Sequence, residues 1–114
     1  MEDRFLQQLK KGVLELLVLE RVCAGSTYGY ELLGQLKSRS GGLFTLKEGT
    51  LYPILYRLED DGFIAASWSA GEGRTAPKKI YTATEAGRAE ALRRREVWRQ
   101  FSETVDSFGK EEAE

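Results

Sequence analysis

The sequence predicts a mainly α-helical α+β fold, and three observations lead to that prediction. Apolar residues recur at helical spacing in three short segments of the first half of the chain. Two segments of alternating apolar and polar residues follow, separated by a loop that contains glycine and proline. The last segment is again helical in pattern, and its aromatic residues recur at heptad-like spacing.

Size and composition limit the classes of protein to which the chain can belong. It has 114 residues, of which 41% are hydrophobic and 31% charged, as expected for one small globular domain. Such a small core is marginal by itself, so we expect a partner subunit. The chain has no histidine and one cysteine, Cys23. A zinc site, a histidine-based catalytic triad and an intrachain disulfide are therefore excluded, and we expect no metal and no cofactor.

Neither a membrane segment nor an active site is predicted. The longest apolar stretch, around residues 16–19, is far too short to span a bilayer, and the N-terminus MEDRFLQQLKKG lacks the apolar core of a signal peptide. We therefore expect a cytoplasmic location, with Cys23 reduced and serving as a small core residue. Three adjacent acids, Glu59, Asp60 and Asp61, do not converge on one substrate. No nucleophile–base pair is evident, so an enzyme is not expected.

The first two helices are predicted from their apolar spacing and from the residues that end them. The first runs over about 7–24 and stops at Gly25, a residue suited to a helix C-terminus. The second runs over about 28–38, with Ser26 or Thr27 as its N-cap. The predicted inward residues of the first helix are Leu9, Val13, Leu16 and Leu17, and those of the second are Leu32, Leu33 and Leu36.

The third helix begins between Thr45 and Thr50 and ends at Asp61. Thr45 and Glu48 have the spacing of a capping box, but a helix starting there would place Pro53 beyond the first turn, so the start stays open. Gly62 is placed for a Schellman ending. The predicted core face consists of Leu51, Ile54, Leu55 and Leu58.

Two strands and a long helix complete the predicted fold. The strands cover 64–68 and 78–83 and form a hairpin around the loop at 70–77. Thr84 caps the last helix, which reaches about Phe108. At 1.5 Å per residue, its roughly 25 residues span about 37 Å.

This order of elements is that of a winged helix-turn-helix, in which the third helix enters the DNA major groove and the hairpin forms a wing. We divide the chain into a DNA-binding domain over 1–83, a dimerisation helix over 84–108 and an acidic, disordered tail over 109–114. The residues predicted to face DNA from the third helix are Thr50, Tyr52, Pro53, Tyr56 and Arg57. The residues predicted to contact DNA from the wing are Arg74, Lys78 and Lys79.

The charge distribution is compatible with DNA binding without requiring it. The net charge is −1. Residues 71–100 contain eight basic and four acidic residues, a net charge of +4, whereas residues 101–114 contain one basic and five acidic residues, a net charge of −4. The basic segment is interpreted either as a phosphate-binding face or as an ordinary solvated surface.

Three sequence blocks resemble the PadR family of bacterial transcriptional regulators. The block GTLYPILYRLEDDGFI at 49–64 is similar to the recognition helix of that family. TYGYEL at 27–32 is similar to the start of its second helix, and PKKIYTATEAG at 77–87 to its wing strand and the start of its last helix. The resemblance implies a winged helix-turn-helix homodimer that represses transcription and is released by a small molecule. It also implies that Tyr81 packs the wing against the body.

The last helix is expected to carry the dimer interface. Its apolar seam consists of Trp98, Phe101, Val105 and Phe108. Pairing two copies would present two recognition helices to a pseudo-palindromic operator in double-stranded DNA. The resemblance implies that Trp98 stacks a planar hydrophobic effector, although tryptophan is also a common interface anchor without any ligand. The alternative function is a winged-helix module that binds another protein rather than DNA.

Overall fold

The computed structural model describes residues 4–71, 73 and 75–113. It confirms a mainly helical fold with a small antiparallel sheet. The elements are α1 (Arg4–Cys23), β1 (Thr27–Tyr28), α2 (Gly29–Arg39), α3 (Glu48–Asp60), β2 (Ile64–Trp68), β3 (Lys79–Ala83) and α4 (Glu85–Ala113). Within the described residues, no helix is long and apolar enough to cross a membrane.

Helix α1 has two apolar stripes rather than one. It contacts α2 and α3 on one side and α4 on another. Its most deeply buried residues are Val18, Leu19 and Val22, which the predicted face omits. The predicted face is wrong at Leu9, which is 50% exposed, because this residue belongs to the stripe that points towards α4.

The sheet has three strands in the order β1-β3-β2, one more than the predicted hairpin. Thr27 and Tyr28 pair with Tyr81 and Ile80 of β3. This pairing makes the predicted N-cap of α2 wrong: the cap position is Tyr28, whose side chain makes no capping hydrogen bond. The Thr27 hydroxyl instead donates to the Glu31 carboxylate over 2.7 Å.

Helix α3 begins at Glu48, within the predicted limits, and its capping box does not form. Lys47 is the N-cap residue, and the Thr45 hydroxyl donates to the Gly42 carbonyl over 2.7 Å. Pro53 lies inside the helix, where it has no N–H to donate. The predicted core face is confirmed, since Leu51, Ile54, Leu55 and Leu58 are all buried.

The end of α3 is the predicted Schellman motif. The Phe63 N–H donates to the Leu58 carbonyl over 2.9 Å, and the Gly62 N–H donates to the Glu59 carbonyl over 3.0 Å. Gly62 has a φ of +81°, a conformation that favours glycine. The chain therefore reverses sharply from the recognition helix into β2 of the wing.

Helix α4 starts on that same turn and extends further than predicted. The Thr84 hydroxyl accepts the Gly87 N–H over 3.0 Å and donates to the Gly62 carbonyl over 2.7 Å, which confirms Thr84 as the N-cap. A β-carbon at Gly87 would overlap the Phe63 carbonyl, so only glycine allows this approach. The sequence predicts a disordered tail over 109–114, whereas residues 109–113 continue α4 and residue 114 lies outside the described part.

Candidate nucleic-acid interface and apolar cleft

The exposed face of α3 holds the five side chains that the sequence predicts to face DNA. Thr50, Pro53, Tyr56 and Arg57 are exposed, and Tyr52 is half-buried. The rings of Tyr52 and Tyr56 lie 6.3 Å apart between centroids. The buried leucine and isoleucine residues on the opposite side anchor the helix, so this polar and aromatic surface is presented to solvent.

Tyr52 also joins the two helices of the turn motif. A β-carbon at Gly29 would overlap the Tyr52 hydroxyl, so the start of α2 and the first half of α3 are in direct contact. A β-carbon at position 29 would therefore require the Tyr52 side chain to move. Tyr52 therefore has a packing role in addition to its predicted place on the DNA-facing surface.

Arg57 is held by an acidic residue of α1. Its Nε donates to Glu15 Oε1 over 3.2 Å. The Arg57 side chain is 57% exposed and that of Glu15 is 39% exposed, so water and salt screen the pair and it contributes little to stability. The guanidinium is oriented but remains accessible to a ligand.

The two described wing lysines lie beside aromatic rings of the body. Lys78 Nζ is 4.3 Å from the centroid of the Tyr28 ring. Lys79 Nζ is 3.8 Å from Glu59 Oε1 and 5.5 Å from the Tyr56 ring centroid. Lys79 therefore connects the wing to α3. The third predicted wing residue, Arg74, lies outside the described residues.

Tyr81 lies beneath this surface and has no exposed area, which confirms that it packs the wing against the body. Its hydroxyl has no hydrogen-bond partner among the described residues. Burial raises the pKa of Tyr81 to about 12, with smaller contributions from Tyr52, Tyr56 and Glu59. The hydroxyl thus stays protonated and is available as a hydrogen-bond donor.

Two exposed aromatic residues and one half-buried one near this surface are not among the predicted site residues. Tyr30 is 79% exposed and Tyr28 half-exposed at the start of α2, and Trp68 is 69% exposed at the end of β2. A signal for Tyr30 exists in the sequence, since it lies off the buried stripe of α2. Trp68 continues the alternating pattern of β2. That pattern alone does not show that the strand extends beyond the core.

The basic segment at 71–100 does not form an open cationic face in α4. Glutamates of the same helix or of α1 pair with four of its arginines, and Arg88 donates to the Ala83 carbonyl over 3.3 Å. Arg93 and Arg94 both donate to Glu90, and Arg99 donates to Glu96 and Glu103. Arg95 reaches across to Glu20 of α1. For this helix, the solvated-surface interpretation of the charge run is therefore the better one.

Glu90 should make α4 sensitive to acid. Hydrogen bonds from Arg93 and then Arg94 lower the pKa of Glu90 from 4.5 to about 2. A lowered folded-state pKa contributes stability that is present above the unfolded-state value and is lost as the pH falls through the folded-state value. As the pH falls from about 5 to about 2, the free energy of unfolding should decrease less in the Glu90→Gln variant than in the unsubstituted chain. The difference should be at most about 1 kcal/mol. Equal losses, measured by circular dichroism, would contradict this assignment.

An apolar cleft of about 510 Å³ separates the N-terminal half of α1 from the middle of α4. Leu9, Val13 and Leu16 form one wall. Trp98 and Phe101 form the other, with their ring centroids 6.5 Å apart. The volume lies within the usual range for small-molecule sites.

The apolar seam of α4 is exposed along its length. Trp98 is 38% exposed and Phe101 is 60% exposed. Leu9 of α1, which is 50% exposed, faces Trp98 and Phe101 across the cleft and continues the patch. The remaining exposed seam residues are Val105 and Phe108. A contiguous apolar surface of this kind marks an interaction site.

Comparison with known proteins identifies the family. The model of the transcriptional regulator PadR-like family matches residues 16–93, from the middle of α1 to the first turns of α4. The chain belongs to this family. Members of the PadR-like family are transcriptional regulators rather than enzymes.

Individual relatives agree with this assignment. The chain is 30% identical over 100 residues to the transcriptional regulator Rv3488 of Mycobacterium tuberculosis, covering 88% of this chain and 89% of that protein. It is 32% identical over 78 residues to the negative transcriptional regulator PadR of Bacillus subtilis, covering 68% of this chain but only 42% of that longer protein. A transcriptional regulator from Clostridium thermocellum has a TM-score of 0.80 at 25% identity, with 89% and 97% of the two chains covered. A PadR-family regulator from Eggerthella lenta has a TM-score of 0.75 at 32% identity, with 93% and 87% covered.

Proposed function

We propose that this PadR-like chain is a homodimeric, sequence-specific DNA-binding repressor that responds to a small molecule and acts in the cytoplasm. The observation that carries the proposal is the exposed face of α3, with the wing lysines beside it, in a member of a family of transcriptional regulators. A recognition helix with accessible polar side chains fits the major groove, where each base pair presents a distinct pattern.

Each DNA-facing residue has a role that follows from its chemistry. Arg57 donates to a guanine edge or to phosphate. The other polar side chains of this face donate to phosphates or touch a thymine methyl group; these are Thr50, Tyr52 and Tyr56. The side chain of Pro53 projects little from the centre of the exposed helix face, which allows α3 to approach the groove closely. Lys78 and Lys79 bind the adjacent backbone; Arg74 is assigned the same role from the sequence alone.

The partner on the apolar seam is, in this proposal, a second copy of the chain. The patch combines α4 with Leu9 of α1, so a two-fold axis would bury the same surface of both copies. The compact body cannot cover a helix of 29 residues. The axis would also set the two α3 helices to face half-sites roughly 34 Å apart.

Repression and ligand response rest on two observations. The Bacillus subtilis relative is a negative regulator by name. The cleft between α1 and α4 is apolar, of ligand size, and adjoins the proposed dimer interface. A planar hydrophobic molecule that stacks on Trp98 would thus bind where the two copies meet, which is where it would alter the spacing of the recognition helices.

A gel-shift experiment with the DNA upstream of the protein's own gene tests the proposal. Binding should be specific against unrelated competitor DNA, and it should weaken steeply with added salt because counterions are released from phosphates. A protein that ignores this DNA in dilute buffer and instead forms a salt-insensitive complex with another protein would favour the winged-helix interaction module.

Tryptophan fluorescence tests the proposed ligand site at Trp98. Planar aromatic compounds should quench tryptophan fluorescence on binding, and Trp98→Ala should remove most of that quenching. Trp68→Phe is the matched control, since it removes the other tryptophan and should leave the quenching intact. Equal quenching in the Trp98→Ala variant would leave Trp98 as an interface anchor alone.

A further inference from the structure

Phe63 joins the end of the recognition helix to the wing and to α4. Its N–H closes the Schellman motif of α3, and its carbonyl accepts the Thr84 N–H over 3.0 Å. The same carbonyl lies so close to Gly87 that a β-carbon there would overlap it. The backbone of Phe63 therefore fixes the first turn of α4 to the joint between α3 and β2.

The ring of Phe63 contacts α4 a second time, two turns further along the helix. The guanidinium carbon of Arg94 lies 5.5 Å from the centroid of the Phe63 ring, within the range of a cation–π contact. We call this contact the Phe63–Arg94 clamp. Gly87 and Arg94 are seven residues apart, so they share a face of α4 and are separated by about 10 Å along its axis. Because two attachment points define a direction, the clamp sets the angle at which α4 leaves the body.

Arg94 also lines the apolar cleft between α1 and α4. Its side chain is partly buried, and its Nε donates to Glu90 over 2.6 Å. Trp98 is four residues further along α4, so the side chains of Arg94 and Trp98 are neighbours on the helix surface. A planar molecule stacked on Trp98 would therefore touch Arg94. Arg94 thus reaches both the proposed ligand site and the Phe63 ring.

We propose that Arg94 is a positioning residue that couples the apolar cleft to the recognition helices. In the free chain, its guanidinium lies on the Phe63 ring. A planar aromatic ligand on Trp98 offers the guanidinium a second aromatic face, and Arg94 leaves Phe63 to stack on the ligand. The angle of α4 is then no longer held. Because α4 carries the proposed dimer seam, the spacing of the two α3 helices changes. The proposal rests on the proposed function for both the operator and the ligand site.

The size of the coupling follows from the contact that is exchanged. A ligand shifts an equilibrium only by its different affinity for the two states, here the two positions of the Arg94 guanidinium. One cation–π contact supports a change of about two- to fivefold in affinity. Since such coupling is reciprocal, ligand and operator should weaken each other by that same factor.

Arg94→Gln removes the guanidinium and keeps a polar side chain. Operator affinity of the ligand-free variant should fall about two- to fivefold. The loss of operator affinity caused by 1-aminoanthracene, a planar and neutral aromatic probe, should shrink by the same factor. A purely structural role for Arg94 would lower operator affinity equally with and without the probe. An undiminished probe effect in this variant would overturn the proposal.

Arg93→Gln is the matched control. Arg93 also lines the cleft and donates to Glu90, but it is the neighbouring Arg94 guanidinium that lies over the Phe63 ring. The probe effect should therefore be unchanged in Arg93→Gln, and Arg94→Lys, which keeps a cation, should restore part of it. Trp98→Ala measures any action of the probe on the DNA itself. Equal reductions in Arg93→Gln and Arg94→Gln would assign the effect to charge at the cleft and overturn the clamp.

An NMR titration with 1-aminoanthracene tests the coupling without DNA. The amides of Gly62, Phe63 and Gly87 should shift in the unsubstituted chain, and Arg94→Gln should abolish these shifts while the Trp98 indole signal still responds. Joint shifts that persist in Arg94→Gln would overturn the clamp. Shifts that depend on Arg94 in a chain that binds no promoter DNA would overturn the proposed function and keep the clamp. A Trp98 indole that ignores the probe would overturn the ligand site and the clamp together.

Discussion

Replacing Phe101 with aspartate should separate the two copies of the proposed homodimer and abolish specific operator binding. Phe101 is 60% exposed in one copy and lies at the centre of the apolar seam of α4. A two-fold interface repeats every substitution, so two carboxylates would be buried close to the axis. Burying unpaired charges costs several kcal/mol, enough to dissociate a dimer at micromolar concentration.

Sedimentation equilibrium and a gel shift on the same sample measure both effects. Loss of the second half-site should lower operator affinity more than a hundredfold, while weak binding to any sequence persists. Leu92→Asp is the matched control, because Leu92 is 75% exposed on the opposite face of the same helix. A Phe101→Asp variant that stays dimeric with full affinity would show that the seam assignment is wrong.

The parts of the fold that the sequence predicts well are those governed by local patterns. The buried face of α3 follows from the spacing of its four apolar residues, and its ending follows from Gly62 before Phe63. Both are decided within one or two helical turns. Thr84 as the cap of α4 is a local signal of the same kind.

The features that sequence reasoning missed depend on distant partners or on very short elements. Strand β1 has two residues, too few to show alternation, and its strand character comes from pairing with β3. The two stripes of α1 are both helical in spacing, so periodicity alone does not decide which one faces the core. Arg57 and Glu15 are 42 residues apart, and no local pattern links them.

The pairing of the arginines of α4 was partly visible in the sequence. Glu90 and Arg94 have the i, i+4 spacing at which opposite charges interact on a helix, and so do Arg99 and Glu103. The net charge of residues 71–100 does not show this spacing, so the segment looks uniformly basic although its charges are paired. The exposed positive groups of the DNA-facing surface instead lie on α3 and the wing.

Arg57→Ala should lower operator affinity by about 1–3 kcal/mol and relax the preference for one base, provided that Arg57 contacts a base edge. Its loss should hardly change the melting temperature, because the Arg57–Glu15 pair is exposed to solvent. Lys79→Ala is the contrasting variant: it removes a charge that binds the phosphate backbone, so binding to all DNA sequences should weaken alike. If Arg57→Ala instead lowered affinity equally for all DNA sequences, the guanidinium would contact phosphate rather than a base edge.

Glu15→Gln should have the opposite effect on DNA affinity. It removes a carboxylate that holds Arg57 over 3.2 Å and that would face phosphates, so operator affinity should rise a few-fold. The gain should shrink in an Arg57→Ala background, which a double-mutant cycle measures. Equal gains in both backgrounds would show that Glu15 acts by general repulsion and not through Arg57.

The same pair offers a route by which the apolar cleft affects DNA binding. Glu15 also lines the cleft between α1 and α4, so one side chain contacts both the proposed ligand site and the recognition helix. A ligand that changes the position of Glu15 changes the partner of Arg57, and such coupling is reciprocal between the two binding events. The effect of ligand on operator affinity should therefore be smaller in Glu15→Gln than in the unsubstituted protein. An undiminished ligand effect in that variant would assign the coupling to a change in dimer geometry alone.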